Sequence, residues 1–407
     1  MGKSPLEFLA SQLGNVVLYD SIGNPSIFVP IPQIKSSELD SSLPDHVHPA
    51  FKVNGQTLPR ILIGKYKACE LTANGTLFSL PNMPPRHTLG ADQFLSRMRA
   101  FGNGVSGKTV AESGLLLLLA KKYGWNPKGN NYWGCDYRDG TAWEPAKSVT
   151  VDMIRTFRGW KYKCLIAHTT SAELLPITSP LYWQRMEHIG GTPADRSQFV
   201  ADSRYQGYHT INGSGPMSWM LDGTPNGIAD LVGNCAEQDY GYRLVNCEIQ
   251  ILEDNNAADP AADLSATSTN WKAILPNLSN DGYTLVAPGT PGTLHWTWQN
   301  NKITLDTVEP TFDNEQRNTS FSNLAVNAAN VPFVPHVLKE LGLFPISGDT
   351  TPGTVYVHFT ADERFPRRGG SYSSTSSAGL AYVNSHNARA YTYTNYGARP
   401  ACVELPA

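Results

Sequence analysis

Apolar and polar positions along this chain follow two periods in a few short stretches and neither period elsewhere. Phe94, Leu95, Met98 and Phe101 form a helical stripe with three- and four-residue spacing that stops at Gly102. A second helix is predicted from Thr109 to about Gly124. Thr109-Val-Ala-Glu112 is a capping box, in which the hydroxyl caps free N–H groups and the carboxylate reaches back, and the apolar run 115–119 follows. A third, short helix is predicted over residues 335–341, with proline early and Gly342 after it. Strand alternation is plainest in 243–252, where Val245, Cys247, Ile249 and Ile251 alternate with Asn246, Glu248 and Gln250. Residues 60–66 and 354–359 also read as strands. Residues 1–57 show no helical period and hold one apolar patch, 26–32, so they are expected to form an extended arm rather than a domain. Residues 253–280, rich in Ala, Asp, Ser and Asn, are expected to open a surface insertion that runs to about 330. The pattern predicts an α+β fold, loop-rich, with two main helices and small antiparallel sheets.

Composition narrows this picture. Of 407 residues, 32 are Lys or Arg and 35 are Asp or Glu, a net charge of −3 that argues against a nucleic-acid partner held by a basic face. Charged residues make up 16%, below the usual ~25%, while Gly (35) and Pro (29) are abundant and aromatics reach 10%. This suits a loop-rich fold with a core and not a disordered chain. The longest apolar run, 114–120, is far short of the ~20 residues of a membrane helix, so no membrane insertion is expected. The first twenty residues lack the apolar stretch of a secretory signal peptide. Six cysteines (69, 135, 164, 235, 247 and 402) form no C-x-x-C and are expected to be buried, reduced thiols.

Two short motifs compete for chemistry. Gly102-Asn-Gly-Val-Ser-Gly107-Lys108-Thr109 fits G-x-x-x-x-G-K-[ST], which would place Lys108 on phosphates and Thr109 on Mg²⁺. That motif needs a strand before it, and the preceding segment reads as a helix. A Gly-rich connection with Thr109 as N-cap is the competing reading. His46 and His48, in Pro-Asp-His-Val-His-Pro, would point their rings to one side of an extended segment and could share a metal, but no third ligand is evident. The expectation is therefore no metal and no cofactor.

The most informative stretch is 371–396, in which 17 of 26 residues are Tyr, Ser, Thr or Asn and Arg389 is the one formally charged residue. Tyrosine offers a large, stiff, amphipathic contact at low entropy cost, and Ser and Asn add adaptable hydrogen bonds, as in antibody-type combining sites. A polar linker is the competing reading; the spaced Leu380 and Val383 and five tyrosines weigh against it. The flanks, Arg368-Gly369-Gly370 and Gly397-Ala-Arg399-Pro400, suggest tight turns holding a displayed loop.

Arg368-Gly-Gly-Ser-Tyr372, Ala378-Gly379, Asn387-Ala-Arg389 and Gly397-Ala-Arg399-Pro400 together resemble the variable region of proteins diversified by diversity-generating retroelements. Residues 222–237, which read DGTPNGIADLVGNCAE, are similar to that family's NGIYDLxGNVWEW element, and 243–251 and 286–290 resemble its phage and prophage members. The resemblance covers roughly 58–407. It implies a C-type-lectin-like fold of the formylglycine-generating-enzyme (sulfatase-modifying factor) type, with variable residues on a small antiparallel sheet and its loops. It further implies a non-enzymatic ligand-binding protein, a phage tail receptor-binding protein on the virion with 1–57 as its attachment arm. The alternative is a host cell-surface ligand binder, and the remote ones are a formylglycine-generating oxidase or a P-loop nucleotide binder.

Two departures stand out: Ala236-Glu237-Gln238 replaces W-E-W, and Ala398 replaces the phenylalanine before the closing arginine. The enzymes of the superfamily need a cysteine pair near a C-terminal GFRC. Here Pro400 follows Arg399, and Cys402 has no close sequence partner, so no enzymatic activity is expected. Calcium-type lectin ligands are also missing, since Glu144-Pro145 is followed by Ala146. The expected ligand-binding residues are Tyr372, Ser373, Ser374, Ser377, Tyr382, Asn384, His386, Asn387, Tyr391, Tyr393 and Asn395. Gly369, Gly370, Gly397 and Arg399 are expected to be scaffold. The expected partner is a host surface protein rather than a glycan, because flat Tyr-rich sites suit protein epitopes.

Overall fold

Residues 4–194 and 209–405 are described by the computed structural model of the chain. Within them lie five α-helices: α1 (Pro5–Gln12), α2 (Ser36–Leu39), α3 (Ala91–Arg99), α4 (Val110–Tyr123) and α5 (His336–Glu340). The rest is mostly short strands and loops, a loop-rich α+β architecture. No helix among the described residues is long and apolar enough to cross a membrane.

Helix α4 forms where the capping box predicts it. Thr109 Oγ1 accepts the Glu112 N–H at 3.2 Å, Glu112 Oε2 accepts the Thr109 N–H at 2.9 Å, and Gly124 caps the other end. Every residue from Val110 to Leu118 is buried, so the helix has no polar face before its last turn and runs through the core. It packs closely on α5. A Cβ on Gly114 would stand 2.1 Å from Glu340 O and 2.6 Å from Leu341 Cα, backbone atoms that cannot swing aside.

Three larger sheets surround α4. A five-stranded antiparallel sheet runs in the order Val16–Tyr19, Pro25–Pro32, Arg60–Gly64, Pro400–Cys402, Val105–Gly107, and so joins both ends of the chain. A six-stranded sheet runs Gln316–Ser320, Thr354–His358, Gly379–Ser385, Arg367–Gly369, Ala236–Gln238, Tyr396–Gly397. An eight-stranded sheet is built mainly from Tyr242–Val245, Glu248–Ile251, Lys272–Pro276, His295–Gln299 and Lys302–Asp306.

Three expectations are corrected. The strand predicted over 243–252 is a hairpin: Val245 pairs with Glu248 across a two-residue turn, and Asn246 and Cys247 have φ of 53° and 59°. Two consecutive positive φ values are those of a type I′ turn, which fits the strand twist. Alternation continued through the turn in sequence, which hid it.

Of the arm expected over 1–57, the described part from Val16 on does not stand off the fold. Pro25–Pro32 pairs along five residues with Arg60–Gly64, from Phe28↔Gly64 to Pro32↔Arg60. Leu39, Ala50, Phe51 and Val53 lie in the same buried cluster as Leu115 to Leu118. Prolines disguised the strand, but Pro30 and Pro32 fall beyond the stretch paired with Val16–Tyr19, where one edge is open and no N–H is needed there.

The stretch expected to be a surface insertion supplies core. Trp271, Ile274, Trp296, Ile303, Leu305 and Phe321 are all buried. Its apolar residues are sparse because each strand is short and shows one face to the interior.

The phosphate-loop look-alike resolves as structure. Val105–Gly107 is a strand, Thr109 caps α4, and the Lys108 ammonium is buried against Asp239 Oδ1 at 3.2 Å.

Gly114→Ala is expected to lower unfolding free energy by about 1–3 kcal/mol, because the added methyl meets backbone on α5. Urea denaturation checks this, and an unchanged midpoint would contradict the close α4–α5 packing.

Candidate functional site

The stretch 370–395 carries one strand of the six-stranded sheet, Gly379–Ser385, and is bounded by two others that flank a single strand. Arg367–Gly369, where it begins, pairs antiparallel with Ala236–Gln238, and Tyr396–Gly397, where it ends, pairs parallel with the same strand. Gly369 and Gly370 make the departure, with φ of 83° and 78°; a Cβ on Gly369 would meet Leu231 O at 2.3 Å.

Buried ion pairs hold this frame. Arg399 is fully buried. Its guanidinium donates to Glu237 Oε1 at 2.7 and 3.0 Å, to Gly64 O at 2.8 Å and to Ala229 O at 2.8 Å. Lys67 Nζ donates to the same Glu237 oxygen at 2.8 Å and to Cys235 O at 2.9 Å. Arg368 donates to Asp239 Oδ2 at 2.9 Å, Gly342 O at 2.8 Å and Leu341 O at 2.9 Å. Burial alone would raise the Glu237 carboxyl. The facing Arg399, Lys67 and Lys108 cations outweigh it and hold the group far below the ordinary carboxylate range.

Arg389, the one charge within the Tyr-rich stretch, is also part of the frame. It donates to both Glu363 oxygens at 2.8 and 2.9 Å, to Asp92 Oδ1 at 3.0 Å and to Leu264 O at 2.9 Å, and lies over the Phe365 ring.

The loop 386–395 is fixed by its own carbonyls. Arg389 O accepts from Ala91 N at 3.0 Å, Tyr393 O from Thr88 N at 3.2 Å and Asn395 O from Ala236 N at 2.8 Å. Thr394 O faces His209 Nε2 at 2.7 Å, which assigns the ring hydrogen to that nitrogen. Burial, with the nearby His87 ring adding to it, lowers the His209 pKa to about 4, so the ring stays neutral and the bond persists at physiological pH. The two imidazoles stack at 4.4 Å.

The side chains between these anchors face out. Ala390, Tyr391, Thr392, Tyr393 and Thr394 are consecutive exposed residues. Tyr391 and Tyr393 are 45% and 51% exposed, and their rings stack at 6.4 Å with an interplanar angle of 20°. Both lean on Tyr396, whose buried ring carries the Arg367 guanidinium at 4.0 Å. The result is a rigid aromatic platform with two tyrosines on top.

The expected ligand-binding residues divide. Tyr391 and Tyr393 lie on the exposed loop, and Asn387 and Asn395 at its ends are half-buried, Asn387 donating to the Tyr396 hydroxyl. Ser373, Ser374 and Ser377 are half-buried in a separate turn, where Ser374 Oγ accepts the Ser371 N–H at 2.9 Å.

Three of the expected contact residues are corrected to walls of the site. Tyr372 and Tyr382 are 7% exposed and Asn384 is 5% exposed. The Tyr372 hydroxyl lies 3.2 Å from Thr394 Oγ1, and Asn384 Nδ2 donates to the Tyr382 hydroxyl at 2.9 Å. Tyr382 and Asn384 sit on the strand Gly379–Ser385, which is central in its sheet and covered, while Tyr372 packs edge-on against His209. His386 packs on Tyr356 and is held neutral, its pKa lowered to about 4 by burial and then by Arg367.

The sequence reading missed His209, Thr88 and the Arg367–Tyr396 stack as supports. His209 and Thr88 lie far from the Tyr-rich stretch in sequence, so composition could not tie them to it. Arg367 stands next to the Arg368-Gly-Gly turn, and that adjacency was the available signal.

All six cysteines are buried and none is in a disulfide, and burial pushes the Cys69, Cys235, Cys247 and Cys402 thiols up to about 12. No protein-family model matches the chain, and no curated protein matches it.

Arg399→Ala is expected to destabilise the fold by about 3–5 kcal/mol, because it strips the buried Glu237 carboxylate of its principal partner; chemical denaturation measures this. A second expectation concerns pH. Burial raises the Glu112 carboxyl from 4.5 to about 7, against the Thr109 N–H, the Asn255 amide and Lys108, with Asp239 adding to the rise. A raised folded-state pKa means its stabilisation is complete below about pH 4.5 and lost as pH climbs toward 7. Glu112→Gln should flatten that slope, of order 1–3 kcal/mol, in denaturation midpoints taken from pH 4 to 8. Parallel slopes in the two proteins would contradict the assignment.

Proposed function

We propose that the chain is a retroelement-diversified variable protein on a C-type-lectin-like fold of the formylglycine-generating-enzyme type. It binds a macromolecular ligand through the surface centred on Tyr391 and Tyr393. The observation that carries this reading is the pairing of a backbone pinned at four carbonyls with five consecutive exposed side chains. A preorganised loop loses little entropy on binding, and stacked tyrosines give broad, stiff contact area ringed here by Thr392, Thr394 and Asn395. Changes at the exposed positions leave the carbonyl anchors and the Glu237–Arg399 pair untouched, which is what a site altered many times on one frame requires.

The function is non-enzymatic in this reading, supported by the missing second cysteine near Cys402. The partner is a host surface protein and the chain is carried on a phage tail. Attachment does not use 16–57 as a free arm, because that stretch is packed into the fold. It uses the surface of α1, where Phe8 and Leu9 are 55% and 63% exposed, and the hairpin turn between Val16–Tyr19 and Pro25–Pro32, where Ile22 is 83% exposed.

Tyr391→Ala and Tyr393→Ala should each weaken binding of the purified protein to susceptible host cells by about 1–3 kcal/mol, with the melting temperature unchanged. Tyr372→Ala should instead lower the melting temperature. Loss of folding in the first pair would overturn the division of surface from frame. The adjoining DNA tests diversification: a near-copy of the gene's 3′ end, differing mainly at adenines and beside a reverse-transcriptase gene, is the expected finding. An intact flank without that copy refutes it. Recovery of the chain from cell surfaces and never from virions would favour the cell-surface alternative.

A further inference from the structure

A second constellation of side chains lies outside the variable region, where the segment around residue 46 meets α5. His336 begins α5 and Glu340 ends it, and the four-residue spacing sets both on one face. His46 reaches that face from the N-terminal segment, its Nε2 2.6 Å from Glu340 Oε1. His336 Nε2 stands 3.9 Å from Glu340 Oε2. One ligand atom from each of the three side chains lies within 4.8 Å of the others.

The hydrogen positions follow from the neighbours. His336 Nδ1 faces Asp281 O at 2.9 Å, and a carbonyl can only accept, so that nitrogen carries hydrogen and Nε2 is the ring nitrogen left to face Glu340. The Glu340 side chain is 1% exposed, and its Oε2 is buried without a hydrogen-bond partner. Glu340 Oε2 therefore faces His336 Nε2 across 3.9 Å, too far for a hydrogen bond, and stays without a partner. Desolvating a carboxylate oxygen in this way is costly unless a cation answers it.

His48 is excluded from the group, since its Nε2 meets Glu340 O at 3.1 Å and its Nδ1 accepts the Ala50 N–H at 3.2 Å. The H-x-H pair thus splits into one structural ring and one available ring.

We propose that His46, His336 and Glu340 bind a divalent transition-metal ion of the zinc class. Two imidazoles and a carboxylate are the ligand set such ions favour over calcium or magnesium. Bonds of about 2.0–2.1 Å in a tetrahedron put ligand atoms about 3.3 Å apart. The three ligand atoms lie within 4.8 Å of one another, so a bound ion would draw them together toward that value by side-chain rotation. Support from a second layer is in place: Asp281 O orients His336, and the Ser36 hydroxyl donates to Glu340 Oε1. His46 is 34% exposed, which leaves the fourth position to water. The ion would clip the N-terminal segment to α5, whose following carbonyls, Leu341 O and Gly342 O, hold Arg368.

The test is titration of the chelator-treated protein with Zn²⁺, and separately with Co²⁺, at about pH 7.5, above the ~6.5 of free imidazole. One ion per chain is expected, with a dissociation constant on the order of micromolar or tighter. Four-coordinate Co²⁺ absorption and a raised melting temperature should accompany it. His336→Ala should lose at least about tenfold in affinity. His46→Ala, which alters a partly exposed side chain and spares the core, should do the same while its circular dichroism stays native. Absence of stoichiometric binding, or binding undiminished in both variants, overturns the proposal.

Discussion

The Glu237 carboxylate is the point on which the rest of the molecule closes. Its Oε1 accepts from Arg399 and Lys67, and these groups are at most 2% exposed. Ions so deeply desolvated are tolerated only when every donor and acceptor is matched, and here backbone oxygens of Gly64, Ala229 and Cys235 complete the cations. The geometry is consequently restrictive. Arg399 reaches Glu237 only when the strand Pro400–Cys402 lies beside Arg60–Gly64, so one ion pair ties two sheets and the chain's last strand together. Asp239, two residues on, does the equivalent for Arg368 and Lys108.

This arrangement separates rigidity from surface chemistry. The strand Ala236–Gln238 lies between the entry and exit strands of the Tyr-rich excursion, and its neighbouring carboxylates take the arginines that flank it. Closure is thus settled beneath the loop. Within the loop, Arg389 and four carbonyl acceptors set the backbone, while the side chains of Tyr391, Thr392 and Tyr393 are exposed above it. A surface of this kind can be rebuilt side chain by side chain with little effect on folding, because almost all the burial lies elsewhere.

The N-terminal segment belongs to the same cooperative unit. Its strand adds to the sheet that the C-terminal strand completes, and Phe51 and Val53 pack in the main core with α4 and Trp296. His46 and His48 then meet α5 directly through Glu340. Unfolding of this segment would expose one face of α4, which is buried on every side before its last turn.

The sequence by itself determined those elements whose signal is local. The capping box set the start of α4, the Phe94–Leu95–Met98 stripe set α3, and the composition of 371–396 marked a stretch unlike ordinary core. Local chemistry suffices there because the partners lie within one helical turn or the trait is a bulk average. Tertiary structure decided everything that depends on distant partners. It turned 243–252 into a hairpin through two positive-φ residues, and it made a paired strand of the proline-bearing 25–32. It also divided the eleven candidate contact residues among exposed, half-buried and buried, Tyr382 and Asn384 being buried by their place on a covered central strand. Alternation reports which residues differ from their neighbours, but only the packing of one sheet on another decides which of them water reaches.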